Sequence, residues 1–136
     1  INAQRPDIVL IGGDLIDNSV APLRYEHMEE ELSKIYAPLG VYMVPGNHEY
    51  ISGIEESEKF IAQTPIVLLR DSVAILPNQI QLIGRDDRHK KGRFYISVNE
   101  RKFAVGLFCF GVHHECKNIG AISNRKNGRG WRRLTV

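Results

Sequence analysis

Two short clusters hold the side chains best suited to chemistry. Gly13-Asp14-Leu15-Ile16-Asp17 places two carboxylates on a glycine turn, and Pro45-Gly46-Asn47-His48-Glu49 places a carboxamide and an imidazole on another. Carboxylate, carboxamide oxygen and imidazole suit a hard to borderline divalent metal, and the glycines let backbone approach an ion or a phosphate closely. Asp and Asn are also ordinary turn formers, so either cluster alone would read as a turn. Their meaning depends on where the surrounding elements put them.

Asp7-Ile8-Val9-Leu10-Ile11-Gly12-Gly13 is a short β-branched run between Pro6 and a glycine pair, the pattern of a strand buried in a parallel sheet. Pro22 fits the first turn of a helix, on which Met28, Leu32, Ile35 and Tyr36 recur at helical spacing until Ala37-Pro38-Leu39-Gly40 ends it. Val41-Tyr42-Met43-Val44, closed by Pro45-Gly46, is a second strand. Residues 7–44 therefore read as a right-handed βαβ unit. Parallel strands end on one rim of their sheet, so Asp14, Asp17, Asn47 and His48 should converge although Asp14 and Asn47 are 33 positions apart.

Further on, Ser52-Gly53-Ile54-Glu55 has capping-box spacing and predicts a short helix up to Thr64-Pro65. Ile66–Leu69, Val73–Leu76 and Ile80–Ile83 have strand length, and the last two flank Pro77-Asn78-Gln79 as a hairpin would. No self-similarity at solenoid periods occurs.

The two blocks, Gly13-Asp14-x-x-Asp17 and Gly46-Asn47-His48-Glu49, each directly after a buried strand, resemble the second and third sequence blocks of the calcineurin-like metallophosphoesterases. The resemblance is to the bacterial branch and strongest over residues 6–87, including Leu68-Leu69-Arg70-Asp71 and Leu82-Ile83-Gly84-Arg85-Asp86-Asp87. It implies an α/β fold, a β-sandwich flanked by helices, here incomplete, with the first strand missing and the C-terminal part missing or altered. It implies hydrolysis of a phosphate mono- or diester at two divalent metal ions, with Mn, Fe, Zn and Mg all compatible with oxygen and imidazole ligands. By the same resemblance Asp14 would bridge the two metals and Asn47 would bind the second through its side-chain oxygen. His48 would approach the phosphoryl group, with Asp17 orienting its ring. An Asp-x-His block would precede residue 1, and the family's closing Gly-His-x-His block does not occur in the chain. The strand around Lys102–Phe110 could lead to a metal-binding histidine, for which His113 is the candidate beside His114.

A length of 136 residues corresponds to one domain at roughly 100–200 residues each. Residues 1–116 are assigned to a partial metallophosphoesterase domain, and 117–136 to a basic, poorly ordered tail with six Lys/Arg and no acid. The first residue is Ile1 and no signal-peptide pattern follows, so a fragment is expected, inactive or weakly active by itself; its setting stays open between the cytoplasm and a membrane reached through a preceding segment. Apolar runs such as Ile8–Ile11 and Phe103–Phe110 fall short of the roughly 18–20 residues of a membrane helix.

Net charge is +2, but residues 1–84 carry five Lys/Arg against twelve Asp/Glu and residues 85–136 thirteen against four. Arg85, Arg88, Lys90, Lys91 and Arg93 with Phe94 and Tyr95 make a basic, aromatic cluster, so a nucleic-acid-binding module is the rival reading, and a non-catalytic fragment a third. Cys109-x-x-x-His113-His114-x-Cys116 matches no common closed zinc site. Phosphate-binding loops of the Gly-x-x-x-x-Gly-Lys-Ser/Thr and Gly-x-Gly-x-x-Gly types and a Gly-x-Ser-x-Gly elbow do not occur. The expected partner is a phosphorylated small molecule or lipid headgroup as substrate.

Overall fold

The computed structural model describes residues 1–77 and 80–89, together with the strands 104–107 and 119–122. Three strands, β1 (Val9–Ile11), β2 (Val41–Met43) and β3 (Ile66–Leu68), form a parallel sheet in the order β1-β2-β3. β4 (Ser72–Ile75), β5 (Gln81–Gly84), β6 (Ala104–Leu107) and β7 (Ile119–Ile122) form a second sheet in that order. There β4 and β5 run antiparallel, β5 and β6 parallel, and β6 and β7 antiparallel.

Alternation along the strands sorts the core into two layers. Val41 and Met43, with Val9 and Ile11, face a cluster completed by Ile16, Val20, Ile66, Phe60 and Ile61. Leu10 and Tyr42, pointing the other way, pack with Val44, Leu69, Leu76 and Leu82 from the side of the second sheet. Sheet thus lies on sheet, with helices over the outer face of the parallel one: the helix-flanked β-sandwich that the family resemblance implies.

The helices depart from expectation in two places. The single helix predicted after Pro22 is two, α1 (Ala21–Tyr25) and α2 (Met28–Ser33), divided at His27, whose φ of 54° is left-handed. At 3.6 residues per turn a continuous helix would turn Leu23 about 140° away from Met28. The break lets Leu23, Met28 and Leu32 all reach the same core. The predicted capping box at Ser52 does not form either. α3 (Asn47–Ile51) already ends at Ser52, and α4 (Ile54–Ile61) starts from Gly53 without a side-chain cap. The Ser52 hydroxyl instead donates to the Glu49 carbonyl at 3.2 Å and meets the Ser57 hydroxyl at 2.9 Å.

The predicted hairpin is present as β4–β5, where the Leu76 amide donates to the Ile80 carbonyl at 2.8 Å. β7 lies within the stretch 117–136 that composition marks as a poorly ordered tail; Ile119-Gly120-Ala121-Ile122 is its one apolar run, paired with β6. The rest of that stretch lies outside the described residues.

Candidate functional site

Both sequence clusters emerge from the same rim of the parallel sheet. The ladder continues past the strand ends, with the Val44 amide donating to the Ile11 carbonyl at 3.1 Å and the Leu69 amide to the Met43 carbonyl at 2.7 Å. The chain leaving β1 turns at once through two positive φ angles, 98° at Gly13 and 57° at Asp14. The chain leaving β2 enters α3, so Asn47 and His48 occupy the first turn of a short helix rather than a loop.

The two turns meet at Asp14. Its Oδ1 accepts the His48 amide at 3.1 Å, and a Cβ on Gly46 would stand 2.1 Å from that same oxygen. Glycine is therefore required at 46 for contact rather than for backbone freedom. Glu49 lies beneath, fully buried. Its Oε1 accepts the amides of Leu15 at 2.7 Å and Ile16 at 3.0 Å, and its Oε2 those of Asp14 at 2.9 Å and Gly46 at 2.7 Å.

His48 is partly exposed and points its Nδ1 at Asp17, 2.7 Å from the carboxylate Oδ1 and 3.2 Å from the backbone carbonyl. Burial disfavours the imidazolium, but the hydrogen bond to Asp17 and the negative charges of Asp14 and Asp17 outweigh it and raise the pKa above 6.5. With Nδ1 engaged by Asp17, Nε2 is the ring atom left for a reacting group.

Of the residues singled out by the sequence, the structure brings Asp14, Asp17 and His48 together, and Asn47 opens α3 immediately before His48. His113 and His114 lie outside the described residues. Among the described residues, no group of three or more His, Cys, Asp and Glu side chains is gathered as a metal shell. Glu49 carries no role in the sequence reading, where it is simply the end of a motif. The one hint is a carboxylate three positions after a glycine at a helix start, the spacing at which an N3 side chain reaches back to an N-cap amide.

A second polar cluster lies on the other side of α3. Arg70 donates to Asp86 at 2.8 Å, to Glu58 at 2.6 Å and to the Tyr50 hydroxyl at 3.0 Å, while that hydroxyl donates to Asp86 at 2.7 Å. Burial and the bond to Asp86 push the Tyr50 phenol up to about 12, against the opposing effect of Arg70. The buried Asp87 accepts from the His89 backbone amide at 2.9 Å and also contacts the His89 ring, which stacks on Tyr50. Arg85, from the basic cluster of the rival reading, is paired with Asp71 at 3.3 Å. Lys90, Lys91 and Arg93 lie outside the described residues.

The calcineurin-like phosphoesterase profile matches residues 1–125. The chain belongs to this family. Its relatives include an uncharacterized metallophosphoesterase of Aquifex aeolicus, 32% identical over 65% of this chain and 33% of that protein. An uncharacterized metallophosphoesterase of Helicobacter pylori is 36% identical over 51% of this chain and 18% of that protein. A putative metallophosphoesterase of Caenorhabditis elegans is 34% identical over 63% and 18%. The chain thus spans a third or less of the length of these relatives. No solved structure matches it. Membership of the calcineurin-like phosphoesterases suggests a metal-dependent phosphoester hydrolase. No helix among the described residues is long and apolar enough to cross a membrane.

Proposed function

We propose that the rim carrying Asp14, Asp17, Asn47 and His48 is part of a phosphoester-hydrolysing site that uses two divalent cations. The observation that carries this reading is the 3.1 Å hydrogen bond from the His48 amide to Asp14 Oδ1, which seats an imidazole and an exposed carboxylate from two separate strands side by side. The donor chemistry fits such ions in part: Asp14 and Asn47 both offer oxygen, the preferred donor for Mg and Mn and acceptable to Fe and Zn. Asp14 would hold both cations and Asn47 one, with His113 a further candidate ligand. Bound metal would supply an acidified water and offset the charge on the phosphoryl oxygens.

The protein's own groups then have separable tasks. Asp17 fixes the His48 ring through Nδ1, and Nε2 carries the proton given to the departing oxygen or donates a hydrogen bond to the phosphoryl group. The raised pKa of His48 favours the protonated form such a donor needs. The substrate class is a phosphorylated small molecule or lipid headgroup, as mono- or diester.

With two oxygen ligands assigned, turnover by this chain alone is expected to be weak, since losing one metal site removes several kcal/mol of transition-state stabilisation at about 1.4 kcal/mol per tenfold in rate. The test is hydrolysis of chromogenic aryl phosphate mono- and diesters with saturating Mn²⁺, beside Asn47→Ala and a chelator. Slow turnover abolished by both treatments supports the proposal. Turnover indifferent to both overturns it, and fast turnover abolished by both would mean that His113 or His114 completes the shell.

A further inference from the structure

Glu49 is a carboxylate removed from water, and among the described residues no Lys, Arg or His pairs with it. Its charge is met by four backbone amides, three from the turn after β1 and one from the turn after β2. Charge-assisted bonds of this kind are roughly twice as strong as neutral ones, and here they join segments more than 30 positions apart.

Their consequence falls on a group that Glu49 does not itself touch through a side chain. Holding the Asp14 and Leu15 amides keeps Asp14 in its left-handed conformation at φ 57°. That conformation delivers Oδ1 to the His48 amide and into the space a Cβ on Gly46 would occupy. The buried carboxylate therefore sets the backbone, and the backbone aims the exposed carboxylate.

We propose that Glu49 is a positioning residue that fixes the Asp14 carboxylate against the first turn of α3, in the orientation in which Asp14 serves as a ligand for divalent cations. The ligand part rests on the function proposed above; the positioning part does not.

Glu49→Gln keeps the shape but turns an N–H₂ group toward amides that need an acceptor. In the full chain, the decisive reporter is the His48 amide, which bonds Asp14 and not Glu49. It should exchange with solvent roughly tenfold faster in Glu49→Gln, one hydrogen bond's worth of protection, while the Tyr42 and Met43 amides of β2 stay protected. Mn²⁺ affinity, read by water-proton relaxation, should fall roughly 10–100-fold, the usual cost of losing a group that orients a ligand. Gly46→Ala, which crowds Asp14 Oδ1 and leaves Glu49 in place, should weaken Mn²⁺ binding similarly.

A folded Glu49→Gln protein with unchanged His48 exchange and unchanged Mn²⁺ affinity overturns the proposal, because a carboxylate that merely satisfies its own four amides would behave that way. If Glu49→Gln loses the β2 protection, Glu49→Asp, charged but one methylene shorter, takes its place with the same two readouts and the same deciding outcomes. If the unaltered chain binds no Mn²⁺, the metal reading fails separately, and His48 exchange still decides whether Glu49 positions Asp14.

Discussion

Glu49 and Asp17 are both carboxylates beside the first turn of α3, yet they live in opposite surroundings. Glu49 is fully buried and accepts four amides from two turns. The Asp17 side chain is 75% exposed, engages the His48 imidazole and accepts one further bond, from the side-chain amide of its neighbour Asn18 at 2.8 Å. The difference separates what holds the site together from what would work in it. A buried anion cannot be lost without stranding its donors, whereas an exposed one can change its proton or partner at little cost to the fold.

The comparison breaks first at Glu49→Ala. Four amides would lose their acceptor in a closed junction, and since a buried donor left without a partner costs about 1–3 kcal/mol, unfolding free energy should drop by about 3 kcal/mol or more. Urea denaturation measures it. A loss below about 1 kcal/mol would mean that water replaces the carboxylate freely and that the two turns are held by the sheet alone.

Tyr50 lies between the extremes, half-buried and bonded to both Arg70 and Asp86. Tyr50→Phe should cost about 1–2 kcal/mol at neutral pH. The folded phenol has its pKa raised from 10 to about 12, so folding favours the protonated form. Its contribution is complete below pH 10 and is lost as pH rises from there through about 12. The stability gap between the unaltered chain and Tyr50→Phe should therefore shrink over that window, and the Tyr50 absorbance step should fall at its upper end. A gap that stays constant across it would show that the network with Arg70 and Asp86 does not hold the phenol.

How far the sequence foretells this arrangement depends on the range of the forces involved. Strands β1 and β2 were legible because Val9–Ile11 and Val41–Met43 are β-branched or apolar runs closed by glycine and proline, and parallel pairing then puts Asp14 and His48 on one rim without further information. The break at His27 was not legible. Helical spacing from Met28 onward fits one helix, and only the shared core demand of Leu23 and Met28 selects two. The Ser52 capping signal misled because a local motif could not reveal that α3 already claims Ser52 as its end. Glu49 was hidden for a related reason: its partners at 14, 15 and 16 become neighbours only once the sheet has formed. Arg70 and Asp86 likewise stood in the sequence as separate short blocks, and the structure bonds them directly and ties both to Tyr50.

The smallest effect on the fold belongs to Asp17→Asn. An exposed ion pair contributes about 0–1 kcal/mol, so thermal stability should stay within about 0.5 kcal/mol of the unaltered chain, far from the loss at Glu49. The change should appear in the ring of His48 instead. A carboxylate at 2.7 Å from Nδ1 selects the tautomer with the proton on that nitrogen, whereas a carboxamide can present either an acceptor or a donor and selects weakly. Imidazole ¹⁵N shifts should therefore show a predominantly Nδ1–H neutral ring in the unaltered chain and a mixture in Asp17→Asn. An Asp17→Asn protein with an unaltered tautomer would assign the orienting contact to the Asp17 backbone carbonyl, which lies 3.2 Å from the same nitrogen and survives the substitution. A large stability loss would instead place Asp17 with Glu49 among the groups that hold the rim together, and the division between scaffold and chemistry along α3 would fall.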